Sequence, residues 1–228
     1  MTTLIPHLEL VTGIDPKGSV IWMHGLGADR WDFVTIVKEL GLPEGLPLRF
    51  IFPQAPMRPI TVNNGQVMPG WYDISMAELQ RKPDEGGIRQ SQAMIEELID
   101  REIKRGVASE KIILAGFSQG GAIALQTGLR HREPLGGIMA LSTYLTLDDS
   151  LAAERTIANA HIPIFMAHGT QDPLIPLALA VASRSKMEAQ GYKVEWREYP
   201  MPHSVCMEEI EDIGVWLQAR FKSRILLA

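Results

Sequence analysis

The chain has 228 residues, of which 46 % are hydrophobic and 21 % charged, a composition typical of a globular protein with a sizeable core. Its formal net charge of −5 argues against nucleic acid or an anionic membrane surface as the main partner. A single cysteine, Cys206, excludes an internal disulfide framework. Without a signal-like start or a bilayer-length apolar run, we expect a cytoplasmic protein with no stable membrane insertion.

Short apolar runs alternate with longer amphipathic segments along the chain. Apolar runs bounded by Gly, Pro or polar residues are typical of buried parallel strands. In chain order, the predicted strands are residues 19–23, 48–52, 111–115, 137–141 and 164–167, with an alternating strand nearer the sheet edge at 193–199. The helical spacing of apolar residues predicts helices at 88–104, 121–130, 177–190 and 207–221.

This alternation predicts one α/β domain over residues 1–228, with a mostly parallel central sheet and helices on both faces. Residues 54–85 do not follow the pattern, because they are rich in Pro, Gly, Asn and Met. A long irregular segment inside a compact domain is usually either disordered or functional. Its apolar and aromatic content favours an ordered loop that covers a pocket.

Residues 116–120 (GFSQG) lie between a predicted strand and a predicted helix. In that context the motif predicts a nucleophile elbow, the strained turn that raises a serine above an α/β-hydrolase sheet. The helix after Ser118 also directs backbone N–H groups toward negative charge that develops there. Ser118 is therefore the candidate nucleophile of a serine hydrolase.

A serine nucleophile needs a histidine base and a carboxylate that orients it, in the chain order Ser, acid, His on this fold. Of the six histidines, only His203 follows the last predicted strand, in the sequence YPMPHS. Asp172 stands directly beyond the strand at 164–167, where catalytic residues of α/β sheets collect. Asp148 and Asp149 compete for the acid's role, but they resemble the start of a helix.

Acyl transfer also requires N–H donors for the tetrahedral oxyanion. One predicted donor is the backbone amide of Gln119, the residue after the nucleophile. The other is the amide of Leu26, because the glycine-rich sequence HGLGAD follows the first predicted strand directly. We expect His24 to brace this loop and to take no part in proton transfer.

Six segments together resemble the phospholipase/carboxylesterase family, which includes acyl-protein thioesterases and bacterial carboxylesterases. They are MHGLGAD (23–29), PQAP (53–56), WYDI (71–74), GFSQGG (116–121), HGTQD (168–172) and MPHS (201–204). The stretch 57–68 is more similar to the bacterial esterases. The resemblance implies the triad Ser118, Asp172 and His203, hydrolysis without a metal or organic cofactor, and homodimers in some members. Arg30 departs from the family, where a small residue often follows the GLGAD sequence, so the charge preference of the pocket rim stays open.

The sequence therefore predicts a carboxylesterase that hydrolyses small-molecule esters of short to medium acyl chains through an acyl-enzyme. Acyl-protein thioesterase or lysophospholipase activity is the alternative, and a non-catalytic binding module of the same fold is the third hypothesis. Cys206 is expected to be inert despite its nearness to the base. The residues that flank the motifs and could contact the acyl chain are Met68, Trp71, Tyr72, Leu174 and Val205.

Overall fold

The computed structural model describes residues 4–75 and 83–221. In chain order its strands are β1 (His7–Val11), β2 (Ser19–Met23), β3 (Arg49–Pro53), β4 (Met57–Ile60), β5 (Gln66–Pro69), β6 (Ile112–Phe117), β7 (Gly137–Leu141), β8 (Ile164–Gly169) and β9 (Val194–Tyr199). Its helices are α1 (Glu85–Lys104), α2 (Gln119–Gly128), α3 (Asp148–Glu154), α4 (Leu177–Ala189) and α5 (Met207–Phe221). All six predicted strands and all four predicted helices are present, with small differences at their ends.

Seven strands form the central sheet in the order β1-β3-β2-β6-β7-β8-β9. Every neighbouring pair is parallel except β1 and β3. This is the predicted α/β-hydrolase architecture. The sequence did not predict β1, because its five residues HLELV contain no continuous apolar run, and every one of them is at least partly exposed at the sheet edge.

The core lies on both faces of the sheet. Successive residues of a strand point to opposite faces, and β2 divides accordingly: Ile21 and Met23 join one apolar cluster, whereas Val20 and Trp22 join the other. Helices α1 and α2 pack on the first face, and α5 packs on the second. Among the described residues, no helix has the length and apolar character needed to cross a membrane.

The segment predicted to be irregular contains regular structure. Strands β4 and β5 pair in antiparallel register as a small separate hairpin, so the prediction of a loop throughout 54–85 was wrong for this part. The turn between the two strands includes Asn64 and Gly65, both with positive φ. Pro59 inside β4 explains the error, because proline argues against a strand except at an edge. Residues 76–82 of the predicted segment lie outside the described residues.

The parallel order brings the predicted site together. In the registers of β2, β6 and β7, Met23 lies beside Gly116 and Phe117 beside Leu141. The segments that follow β2, β6 and β8 therefore leave the sheet at the same carboxyl edge. They carry the glycine-rich loop, the candidate nucleophile and the candidate acid, respectively.

Candidate active site

Ser118 sits between the end of β6 and the start of α2 with φ 54° and ψ −122°. A non-glycine residue in this region is strained, and such strain is typical of a nucleophile elbow. The two glycines of the motif make the turn possible. A Cβ at Gly116 would lie 2.2 Å from the carbonyl carbon of Gly120, and one at Gly120 would lie 2.4 Å from the Met23 oxygen.

Asp172 and His203 are directly joined. Their atoms Oδ2 and Nδ1 are 2.6 Å apart, so the ring N–H donates to the carboxylate. The other carboxylate oxygen accepts the backbone N–H groups of Leu174 and Ile175, both at 2.9 Å. Burial acts to raise the pKa of Asp172, but the hydrogen bonds from Ile175, His203 and Leu174 outweigh it and hold the pKa below its usual value. The carboxylate is thus charged and oriented toward the ring.

His168 lies beside Asp172, and residue spacing in the sequence could not predict its contacts. It lies fully buried near the end of β8, and its Nε2 donates to the Ile175 carbonyl at 2.8 Å. The same nitrogen lies 3.4 Å from Asp172 Oδ2. His168 therefore helps to hold the 172–175 turn that presents the carboxylate.

The ring of Phe117 connects the elbow to the histidine. Its centroid lies 4.7 Å from that of the His203 ring. On the other side, a Cβ built on Gly25 would lie 3.3 Å from Phe117 Cδ1 and 3.4 Å from Ser118 Cβ. The elbow, the histidine and the glycine-rich loop therefore converge at one place. Among the hydrogen bonds of the described residues, none joins the Ser118 hydroxyl to His203, and contacts of this kind tighten in the Michaelis complex.

The two predicted oxyanion donors lie on the segments that meet there. Among the described residues, neither the Leu26 nor the Gln119 backbone amide has a hydrogen-bond acceptor. By contrast, the next amide of the loop, that of Gly27, donates to the Pro69 carbonyl at 2.8 Å. Two unpaired amides beside the elbow fit the requirement for oxyanion donors.

His24 braces the glycine-rich loop, as predicted. It is buried, its Nδ1 donates to the Gly25 carbonyl at 2.7 Å, and its Nε2 accepts the Ala55 amide at 3.1 Å. Burial lowers the pKa of His24, while the bond to Gly25 acts in the opposite direction. A neutral ring with one donor and one acceptor matches both partners.

The profile of the phospholipase/carboxylesterase family matches residues 7–220. The chain belongs to this family. Among its curated relatives, acyl-protein thioesterase 1 of Neurospora crassa is 41% identical over 211 residues, which cover 89% of this chain and 86% of the relative. Acyl-protein thioesterase 1 of Yarrowia lipolytica is 37% identical over 222 residues, covering 95% and 98% of the two chains.

Solved structures give the same result for the fold. SOBER1 of Arabidopsis thaliana superimposes with a TM-score of 0.85 at 28% identity, covering 90% of this chain and 99% of the other. The family and the α/β-hydrolase fold predicted from the sequence are therefore confirmed, and the protein is a hydrolase. Homodimer formation stays a prediction.

The five residues predicted to contact the acyl chain occupy different environments. Trp71 and Tyr72 are completely buried in the core, so the prediction that they offer surface to a substrate was wrong. Leu174 is 71 % exposed. Met68 and Val205 are half-buried, and the Met68 sulfur lies 3.6 Å from a Cβ built on Gly27. An apolar residue next to a motif can lie in the buried core or on the accessible surface, and tertiary packing determines which.

Arg30 and Cys206 are the two residues near the site whose roles the sequence left open to more than one interpretation. The Arg30 amide donates to the Gln54 side chain at 3.2 Å, which attaches the exit of the glycine-rich loop to the segment after β3. The half-buried Cys206 packs against the second apolar cluster, and its carbonyl accepts the Ile210 amide at the start of α5. These contacts are structural, and the inert thiol stays a prediction.

Proposed function

We propose that the protein is a serine hydrolase that cleaves acyl thioesters, including those of acylated proteins, and the corresponding oxoesters. The observation that carries this proposal is the pair His203 and Asp172, joined at 2.6 Å, beside a serine held in elbow geometry. A charged acid, an oriented imidazole and a raised hydroxyl are the parts that acyl transfer requires.

In the proposed mechanism, the Ser118 oxygen attacks the acyl carbon while His203 Nε2 accepts its proton. Asp172 holds the ring and stabilises the imidazolium, and the amides of Leu26 and Gln119 bind the oxyanion. Collapse of the tetrahedral intermediate breaks the bond to the leaving group, which takes the proton from His203. Water then attacks the acyl-enzyme with the same base, and the free acid leaves.

The similarity to acyl-protein thioesterases favours thioesters over the short-chain carboxylic esters that the sequence alone suggested. Relatives with this name match nearly the whole length of the chain and are of the same size, which supports the same substrate class for this protein. Met68, Leu174 and Val205 are the proposed acyl-chain contacts, because they are apolar, accessible and next to the loops that carry the donors and the acid.

The test uses matched oxoester and thioester substrates with acyl chains from acetyl to palmitoyl, together with a palmitoylated peptide. We expect higher kcat/KM for thioesters, a preference for longer chains, and loss of at least about 10³-fold in Ser118→Ala. Ser142→Ala is the matched control, since Ser142 shares the positive φ of Ser118 and directly follows the neighbouring strand β7, although it is buried where Ser118 is partly exposed. It should retain activity.

Two results would change the proposal. Activity that peaks on short oxoesters and depends on Ser118 would restore the carboxylesterase hypothesis. No hydrolysis and no labelling of Ser118 by a fluorophosphonate would support a binding module instead.

A further inference from the structure

Trp71 makes three polar contacts, although it was first predicted as a substrate contact. Its indole N–H donates to the His24 carbonyl at 2.8 Å, and its backbone N–H donates to the Gln119 side-chain oxygen at 2.8 Å. Its own carbonyl accepts the hydroxyl of Ser91 on α1. A fully buried residue with every polar group satisfied is rigid, so it can hold whatever it contacts.

One of these contacts controls the direction of the Leu26 amide. The Gly25 carbonyl and the Leu26 N–H belong to the same planar peptide and point in opposite directions. The His24 ring holds that carbonyl at 2.7 Å, and Trp71 holds the preceding one, the His24 carbonyl. Two consecutive peptide planes are therefore fixed, and the Leu26 N–H is aimed by its attachment to the second.

The other contact controls the position of Gln119. Its side-chain amide accepts from the Trp71 N–H at 2.8 Å and donates to the Tyr72 carbonyl at 2.7 Å. Both groups belong to the segment after β5, so the first residue of α2 is held to that segment by two hydrogen bonds. The loop that carries the first donor and the helix that carries the second are thus tied to a single side chain and its backbone.

We propose that Trp71 is a positioning residue that sets the spacing and direction of both oxyanion donors. This inference rests on the proposed function, because it assigns Leu26 and Gln119 the donor role. Preorganised donors stabilise an oxyanion only while they are aimed at the place where charge develops, and loss of one donor costs about 10²–10³ in kcat. Trp71 touches no substrate and acts through the two residues that do.

The test compares Trp71→Phe with Trp22→Phe. Both variants lose a buried indole N–H, but that of Trp22 has no partner among the described residues and lies on the other face of the sheet. We expect kcat/KM of Trp71→Phe to fall about 10–100-fold. This is less than the effect of removing one oxyanion donor outright, because the donors stay present but are misaligned. KM should change less than about twofold. Trp22→Phe should stay within about twofold of the wild type in both constants.

A trifluoromethyl ketone with the same acyl chain provides the decisive readout, because it forms an oxyanion adduct with the nucleophile. Its inhibition constant should rise in Trp71→Phe by about the factor lost from kcat/KM. If Trp71→Phe fails to fold, benzothienylalanine at position 71 replaces the indole N–H with sulfur and keeps the shape. The same losses are expected for it.

Unchanged kcat/KM and unchanged inhibitor affinity in a folded position-71 variant would overturn the inference. So would a loss confined to KM, which would place Trp71 in the acyl pocket. In either case, a wild type that remains active and depends on Ser118 leaves the proposed function intact. A wild type that hydrolyses no ester or thioester would instead remove the function on which the inference rests.

Discussion

Glu209 on α5 offers the most quantitative prediction. The side chain is fully buried, and neither carboxylate oxygen has a hydrogen-bond partner among the described residues. Burial raises the pKa of Glu209 to about 8. The nearby Cys206 backbone N–H, although outside hydrogen-bond geometry, acts to lower this pKa, and Asp212 acts to raise it through like-charge repulsion. In the folded protein at pH 7, this carboxyl is therefore neutral.

The consequence for stability follows from proton linkage. The unfolded chain releases this proton near pH 4.5, whereas the folded protein keeps it until about pH 8. The contribution of the protonated group to the free energy of unfolding is complete below pH 4.5. It decreases as the pH rises above 4.5 and is fully lost once the pH has passed about 8. At about 1.4 kcal/mol per pH unit, the loss amounts to about 3 kcal/mol at pH 7. Glu209→Gln removes this dependence, because glutamine stays neutral in both states.

The assay is urea unfolding of wild type, Glu209→Gln and Glu208→Gln at pH 5, 7 and 8. We expect Glu209→Gln to be more stable than the wild type by about 2–3 kcal/mol at pH 7, and by less than about 1 kcal/mol at pH 5. Glu208 precedes it on the same helix and is exposed, so Glu208→Gln should show no such trend. A stability difference between wild type and Glu209→Gln that does not grow with pH would refute the assignment of a buried, neutral carboxyl.

Three further predictions test the elbow, an ion-pair network and the acyl contact. Gly120→Ala places a Cβ 2.6 Å from the backbone oxygen of His24 and so distorts the elbow. We expect the rate at which a fluorophosphonate labels Ser118 to fall about 10²-fold. The Glu154 carboxylate accepts from Arg89 and Arg130 at 2.6 Å each, and these bonds, led by that from Arg89, lower the pKa of Glu154 to about 2. Glu154→Gln should cost about 1–2 kcal/mol at pH 7. In thermal melts, the difference between this variant and the wild type should shrink as the pH falls from 4.5 through 2. Leu174→Ser should lower kcat/KM several-fold for palmitoyl but not acetyl thioesters, measured with the matched substrate series.

The sheet was predictable because its strands are continuous apolar runs. The bounds of β2 and β7 agree with the prediction, since every residue of each strand is buried. Strand β1 and the hairpin were missed, because β1 is short, partly exposed and without an apolar run, and β4 contains Pro59. For β1, a strand partner distant in sequence, β3, stabilises a segment that its own residues do not specify as a strand.

The candidate site divides in the same way. Chain order and neighbouring strands sufficed to select Asp172 and His203, and the two side chains are hydrogen bonded. Spacing could not reveal that Trp71 faces inward, because an aromatic residue in a Pro- and Gly-rich segment can equally line a pocket. Its burial depends on hydrogen-bond partners on three separate elements, namely acceptors at His24 and Gln119 and the donating hydroxyl of Ser91, and no local pattern contains that information.

The base and the tip of the β4–β5 hairpin have separate roles. At the base, Pro69 accepts the Gly27 amide and Pro56 accepts the Gly70 amide, so the hairpin and the glycine-rich loop share one hydrogen-bonded frame with Trp71. Farther along the hairpin, Val67 is 58 % exposed and belongs to neither apolar cluster of the described residues. A change at an exposed side chain need not move a donor amide that is held by buried bonds. If the amides of Leu26 and Gln119 bind the oxyanion as proposed, the surface that the hairpin tip offers to an acyl chain can therefore vary while the geometry of the donors stays constant.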